Sequence, residues 1–136
     1  MKKKYQLEGG KIQSLEDFFS VFGEMVNGTG GYFGKDLDSF DDCLFGGYGL
    51  DGTSEIEWKN HKESAKKLGY QELASWCRNR IKSGDYLDLD GLDSLNQTLE
   101  NAEKRVGPTL FDKIVETINS VDERSKGKHK ITLVMS

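Results

Sequence analysis

Three short strand-like stretches, each separated from the next by long helical runs, constrain this chain more than any other feature. Lys4-Tyr5-Gln6-Leu7-Glu8 alternates polar and apolar residues, and so does Thr53-Ser54-Glu55-Ile56-Glu57-Trp58. Ile131-Thr132-Leu133-Val134-Met135 is a short, nearly continuous apolar run. Alternation with period two marks a half-buried strand, and an unbroken apolar run fits the interior of a parallel sheet. Strands that never follow one another through a tight turn pair in parallel, across helical crossovers. The expected fold class is therefore α/β, a small three-stranded parallel sheet flanked by helices. The C-terminal run is expected to be buried as the central strand. At 136 residues the chain is expected to form one domain, 1–136.

The intervening segments carry helical signals. Ser14 reads as an N-cap with Asp17 three residues on, and Leu15, Phe18, Phe19, Phe22 and Val26 follow at helical spacing. Asn27-Gly28-Thr29-Gly30-Gly31 ends that helix near Val26. A second helix is expected over about Asp36 to Phe45, stopping at Gly46-Gly47. Residues 61–105 read as mostly helical, with breaks at Gly69 and at Ser83-Gly84. Leu73, Trp76, Cys77, Arg80 and Ile81 form one stripe there; Leu92, Leu95, Leu99 and Ala102 form another. Gly107-Pro108-Thr109 opens a last helix bearing Phe111, Ile114, Val115 and Ile118.

Charge narrows the function. The net charge is only −4, yet residues 32–57 hold seven acids against Lys35, or −6, leaving +2 for everything else. Such a stretch suits a basic partner and opposes nucleic acid. No apolar run approaches the ~20 residues of a membrane span, and the basic start Met1-Lys2-Lys3-Lys4 is followed by no apolar stretch. A cytoplasmic protein is expected. Two cysteines and two histidines, widely scattered, match no zinc-ligand spacing, so Cys43 and Cys77 are expected as reduced thiols in or near the core. Asp85-Tyr86-Leu87-Asp88-Leu89-Asp90-Gly91 resembles part of a calcium loop. Aligning Gly91 with the loop glycine puts Tyr86 and Gln97 where carboxylates are required, so a turn of helix-capping acids is expected. No metal site or cofactor motif is recognised.

On a helical wheel Phe33, Leu37, Phe40 and Leu44 fall on one side, while Asp38, Asp41 and Asp42 fall on the other together with Phe45. Like charges at i, i+4 disfavour an isolated helix, and no lysine or arginine follows in the next turn. Glycine-rich aromatic loops flank it, Gly30-Gly31-Tyr32-Phe33-Gly34 and Phe45-Gly46-Gly47-Tyr48-Gly49. Two readings stay open: a solvated face that happens to be acidic, or a contact surface. In the second, Phe45 is either an apolar anchor ringed by charge or is folded under its loop. A catalytic acid pair would need a cleft and a shifted pKa, which nothing local suggests.

The run Tyr32-Phe33-Gly34-Lys35-Asp36-Leu37-Asp38, then Asp41-Asp42-Cys43-Leu44-Phe45-Gly46, resembles the signature of the barstar family, intracellular inhibitors of the ribonuclease barnase. Gly10-Lys11-Ile12, Ser14-Leu15, Ile56-Glu57-Trp58 and the terminal Ile131–Ser136 agree with it. The resemblance spans about residues 1–67 and 107–136, with 68–106 as a helical insertion. It implies a non-catalytic protein whose second helix and preceding loop plug a nuclease active site. Tyr32, Gly34, Asp38, Asp42 and Gly46 match contact positions, with Asp42 standing in for the scissile phosphate; Asp41 and Phe45 complete the candidate surface. The family's tryptophan before the key aspartate is Asp41 here, a second falls at Gly47, and an acid at the start of the last helix falls on Thr109. The implied partner is a basic extracellular or toxin-type ribonuclease, bound one-to-one by a protein that is monomeric when free. The alternative is an immunity protein or interaction module that turns the same acidic face to another basic partner.

Overall fold

The computed structural model describes residues 2–136. Strand β1 (Lys3–Glu8) is followed by a 3-10 turn, helix α1 (Leu15–Asn27) and helix α2 (Leu37–Cys43); strand β2 (Thr53–Lys59) comes next. Helices α3 (His61–Lys67), α4 (Tyr70–Ser83), α5 (Leu89–Glu103), α6 (Leu110–Asn119) and α7 (Val121–Arg124) then lead to strand β3 (Lys130–Met135). All three strands are parallel, in the order β1-β2-β3. The fold class is α/β, a three-stranded parallel sheet flanked by helices, as the strand spacing predicts.

The central strand is β2, not the C-terminal one. Tyr5 lies opposite Ile56 and Ile56 opposite Leu133; Leu7, Trp58 and Met135 form the next rank. This face of β2 is sealed, with Ser54, Ile56 and Trp58 at most 1% exposed. Strand β3 sits at an edge: Ile131 is buried, while Val134 is 40% exposed. Its continuous apolar run therefore does not mean burial on both sides. Ile131, Leu133 and Met135 share the covered face by period-two geometry, and Val134 points the other way. The uncovered face, carrying Lys4, Gln6, Glu55, Glu57 and Val134, has no buried residue, which is unusual for a parallel sheet.

The core between sheet and helices is aromatic. Phe18 of α1 stacks on Trp58 at 5.7 Å and meets Phe40 of α2 edge-on at 5.2 Å; Phe22 touches Phe33 at 4.9 Å and Phe40 at 5.0 Å. Trp58 also meets Phe111 of α6 at 4.9 Å. Its indole Nε1 donates to Ser64 Oγ, which in turn donates to the Gly9 carbonyl, so the buried polar atom is satisfied. Phe40 is thus the residue that fixes α2 on the core.

Segment 68–106 folds as an antiparallel helical hairpin of α4 and α5. Ala74, Cys77, Leu95 and Ala102 are buried, and Arg78 pairs with Glu103 at 3.0 Å. Gly84 closes α4 in a left-handed conformation, and Asp88 caps α5 by accepting from Gly91 N at 2.9 Å. The acidic 85–91 turn is accordingly built around a helix cap. Helix α7 was not apparent in the sequence. Among the described residues no helix is long and apolar enough to cross a membrane.

Candidate functional site

Helix α2 is short, and its start is built from its own side chains. Asp36 sits in an extended conformation and accepts from Ser39 N at 2.7 Å, while Ser39 Oγ accepts from Asp36 N at 3.1 Å, a reciprocal capping box. The backbone bond from Ser39, helped by its hydroxyl, lowers the pKa of Asp36 below the ordinary carboxylate value. The helix ends at Cys43, with Leu44 as C-cap, earlier than its periodicity predicts, because Gly46 turns back with φ of 104°. Phe40, Cys43 and Leu44 point into the core. Burial raises the Cys43 thiol pKa, with a smaller push from Asp42, and burial likewise raises that of Cys77. Both cysteines are free and buried.

The opposite face of α2 holds Asp38, Asp41 and Asp42, as the wheel predicts. Their surroundings differ from the expectation that no base offsets them. Arg80 of α4 donates to Asp38 Oδ2 at 2.9 Å and lies 3.6 Å from Asp85; the Asp38 side chain stays 75% exposed. Arg124 of α7 grips Asp41 with both terminal nitrogens, at 2.7 and 3.0 Å, and this fork raises the arginine pKa. The same guanidinium lies 4.9 Å from the Phe45 ring centroid, which resolves where Phe45 goes: it is 37% exposed under a cation. Asp42 is exposed, and no ion pair engages it among the described residues. Sequence reasoning missed Arg80 and Arg124 because they lie 42 and 83 residues from their partners.

The flanking loops are tied together. Asn27, the last residue of α1, donates through Nδ2 to the carbonyls of Tyr32 at 2.9 Å and Tyr48 at 2.7 Å. The two tyrosine rings sit 6.0 Å apart, both about half exposed. Gly34 has φ of 91°, and a Cβ there would come within 2.6 Å of Phe40 backbone, so this glycine lets the loop lie against α2. At Gly46 a Cβ would meet Asp51 at 2.8 Å and the His129 ring at 3.1 Å. Both matched glycines thus have structural reasons for being glycine. Thr109 is spent locally, as N-cap of α6 in a second capping box with Asp112.

This is a small α/β protein with an exposed acidic helix between two pinned, glycine-rich aromatic loops. A family model described as Barstar (barnase inhibitor) matches residues 3–83, more than half of the chain. This protein belongs to the barstar family. At family level its function is inhibition of a barnase-type ribonuclease, and the family's members are inhibitors rather than enzymes. The match contains α2, both loops and α4, and ends where the α4–α5 turn begins. No curated protein matches the chain.

Proposed function

We propose that this chain inhibits a basic ribonuclease by laying α2 and the Tyr32–Gly34 loop into its catalytic cleft, with Asp42 in the place of the scissile phosphate. The carrying observation is the exposed Asp42 carboxylate, free of ion pairs among the described residues, on the face of a helix anchored by Phe40. A ribonuclease site must hold cations around a phosphorane-like transition state. A carboxylate on a rigid helix occupies such a pocket through charge-assisted hydrogen bonds and gives nothing to cleave. Asp38 and Asp41 are held in single orientations by Arg80 and Arg124, which lowers the ordering cost of binding while reducing the net negative charge offered. The cationic pocket of the nuclease then competes with those arginines for the same oxygens. Asp41 and Gly47, where the family has tryptophans, favour a partner that differs in detail from barnase. The folding unit in this reading is the whole chain, monomeric when free, with α5 lying beyond the family match and packed on α4. It acts in the cytoplasm of the producing cell, before the nuclease is exported.

Titrating purified barnase-type ribonucleases with the protein and reading residual RNA cleavage tests this. At least one is expected to lose activity at one equivalent. Asp42→Ala is expected to weaken that inhibition by ~2 kcal/mol or more, chiefly through faster dissociation. An Asp42→Ala variant as potent as the parent would remove the assignment. Binding of a basic protein that leaves its RNase activity intact would favour the other reading, an acidic-face module for a non-nuclease partner.

A further inference from the structure

The tip of the α4–α5 hairpin carries the least explained surface of the molecule. Leu87 is 102% exposed and Leu89 is 74% exposed, separated only by the capping residue Asp88. Neither side chain contributes to the fold. Isolated exposed leucines are common, but Leu87 lines a concavity of about 500 Å³ together with Trp76, Arg80, Tyr86 and Leu95, and Leu89 stands two residues further along the chain. Asp38 of α2 lines the same concavity, so it opens directly onto the acidic helix. Arg80 is the hinge post between the two regions. Only 16% of its side chain is exposed; it binds Asp38 and Asp85 and packs 5.1 Å from the centre of the Trp76 ring. The tip, 84–89, lies just past the family match at residues 3–83, so it is not part of what that match describes.

We infer that this tip is a second contact arm on the same ribonuclease. Leu87 and Leu89 would cover an apolar patch on the rim of the enzyme's catalytic cleft, beside the cations that α2 occupies. The inference rests on the reading of α2 given above. Continuity chooses the occupant: a nuclease seated on Asp38 meets next the concavity that Asp38 and Leu87 line together. The division of labour follows from the chemistry. Carboxylates recognise the phosphate-binding cations that any such ribonuclease must have, whereas an apolar rim contact distinguishes one ribonuclease from another.

The test uses the full-length protein, a panel of purified barnase-type ribonucleases with barnase among them, and the double variant Leu87→Ala/Leu89→Ala. Alanine keeps the first turn of α5 helical, and because both leucines are exposed the thermal midpoint is expected not to move. For the enzyme inhibited most strongly, the inhibition constant is expected to rise about tenfold or more, from the loss of two buried side chains. Weakly inhibited members of the panel are expected to be affected less. If the double variant inhibits as well as the parent while Asp42→Ala does not, the second arm is refuted and the α2 reading stands. If the parent inhibits no ribonuclease in the panel, both fall together. Sedimentation of the free protein supplies the remaining arm: a dimer that the double variant abolishes would assign the leucines to a second copy and overturn the inference.

Discussion

Asp36 shows how one side chain can set both the geometry and the pH response of the site. Its carboxylate accepts from Ser39 N, and that bond holds its pKa below the ordinary carboxylate value of 3.8. A depressed pKa means that the stabilisation is complete above the unfolded-state value and is lost as pH falls through the lower folded-state value. Asp36→Ala is expected to cost ~1 kcal/mol in urea unfolding at neutral pH. Asp36→Asn keeps a cap but removes the titration, so its stability is expected to fall less than the parent's between neutral pH and pH ~3. An identical acid response in the two proteins would contradict the cap's role. The sequence placed Asp36 near the helix start and put Asp38, Asp41 and Asp42 on one face, both of which periodicity alone can deliver. It could not announce Arg80 and Arg124, since a pairing across 42 or 83 residues leaves no local pattern. The conformational work of Gly34 and Gly46 was hidden for the same reason: the atoms that would clash belong to Phe40, Asp51 and His129.

At the scale of elements, all three strands and the main helices were legible, because each announces itself by period, cap or breaker. Ser14 does cap α1, accepting from Asp17 N at 3.1 Å; Gly69 falls between α3 and α4, and α4 ends at Ser83 with Gly84 as its cap. Helix α7 was missed because four residues, Val121–Arg124, are too few to show a period. The position of β3 was misjudged because composition reports how apolar a strand is, whereas its place in the sheet depends on which neighbours pair with it. Its edge position does not make it dispensable. It supplies one full ladder to β2, its Ile131 is buried, and Ser136 N donates to the Trp58 carbonyl at 3.0 Å just beyond it. Deleting residues 131–136 would strip one side of the central strand and open the core over Ile56 and Trp58. Such a chain is expected to lose its cooperative thermal transition, followed by near-ultraviolet circular dichroism. A sharp melt in the truncated protein would show that β1, β2 and the helices suffice.

For the whole molecule, the arrangement divides scaffold from surface. Four aromatic rings around Phe40 fix α2 over the sheet, a side chain at the end of α1 pins both loops, and α4 and α7 reach in from distant sequence to hold two of the three carboxylates. The third, Asp42, is left to a partner. If it takes the position of an RNA phosphate, then a small phosphate ligand and this protein cannot share the nuclease. The direct measurement is the dissociation constant of the complex with the ribonuclease it inhibits, determined at increasing concentrations of a 3′-mononucleotide and at constant ionic strength, so that general screening does not contribute. The apparent constant is expected to rise in proportion to the nucleotide once the nucleotide exceeds its own dissociation constant, and to do so far less for Asp42→Ala. An affinity that stays unchanged at saturating nucleotide, with both ligands bound at once, would contradict the account.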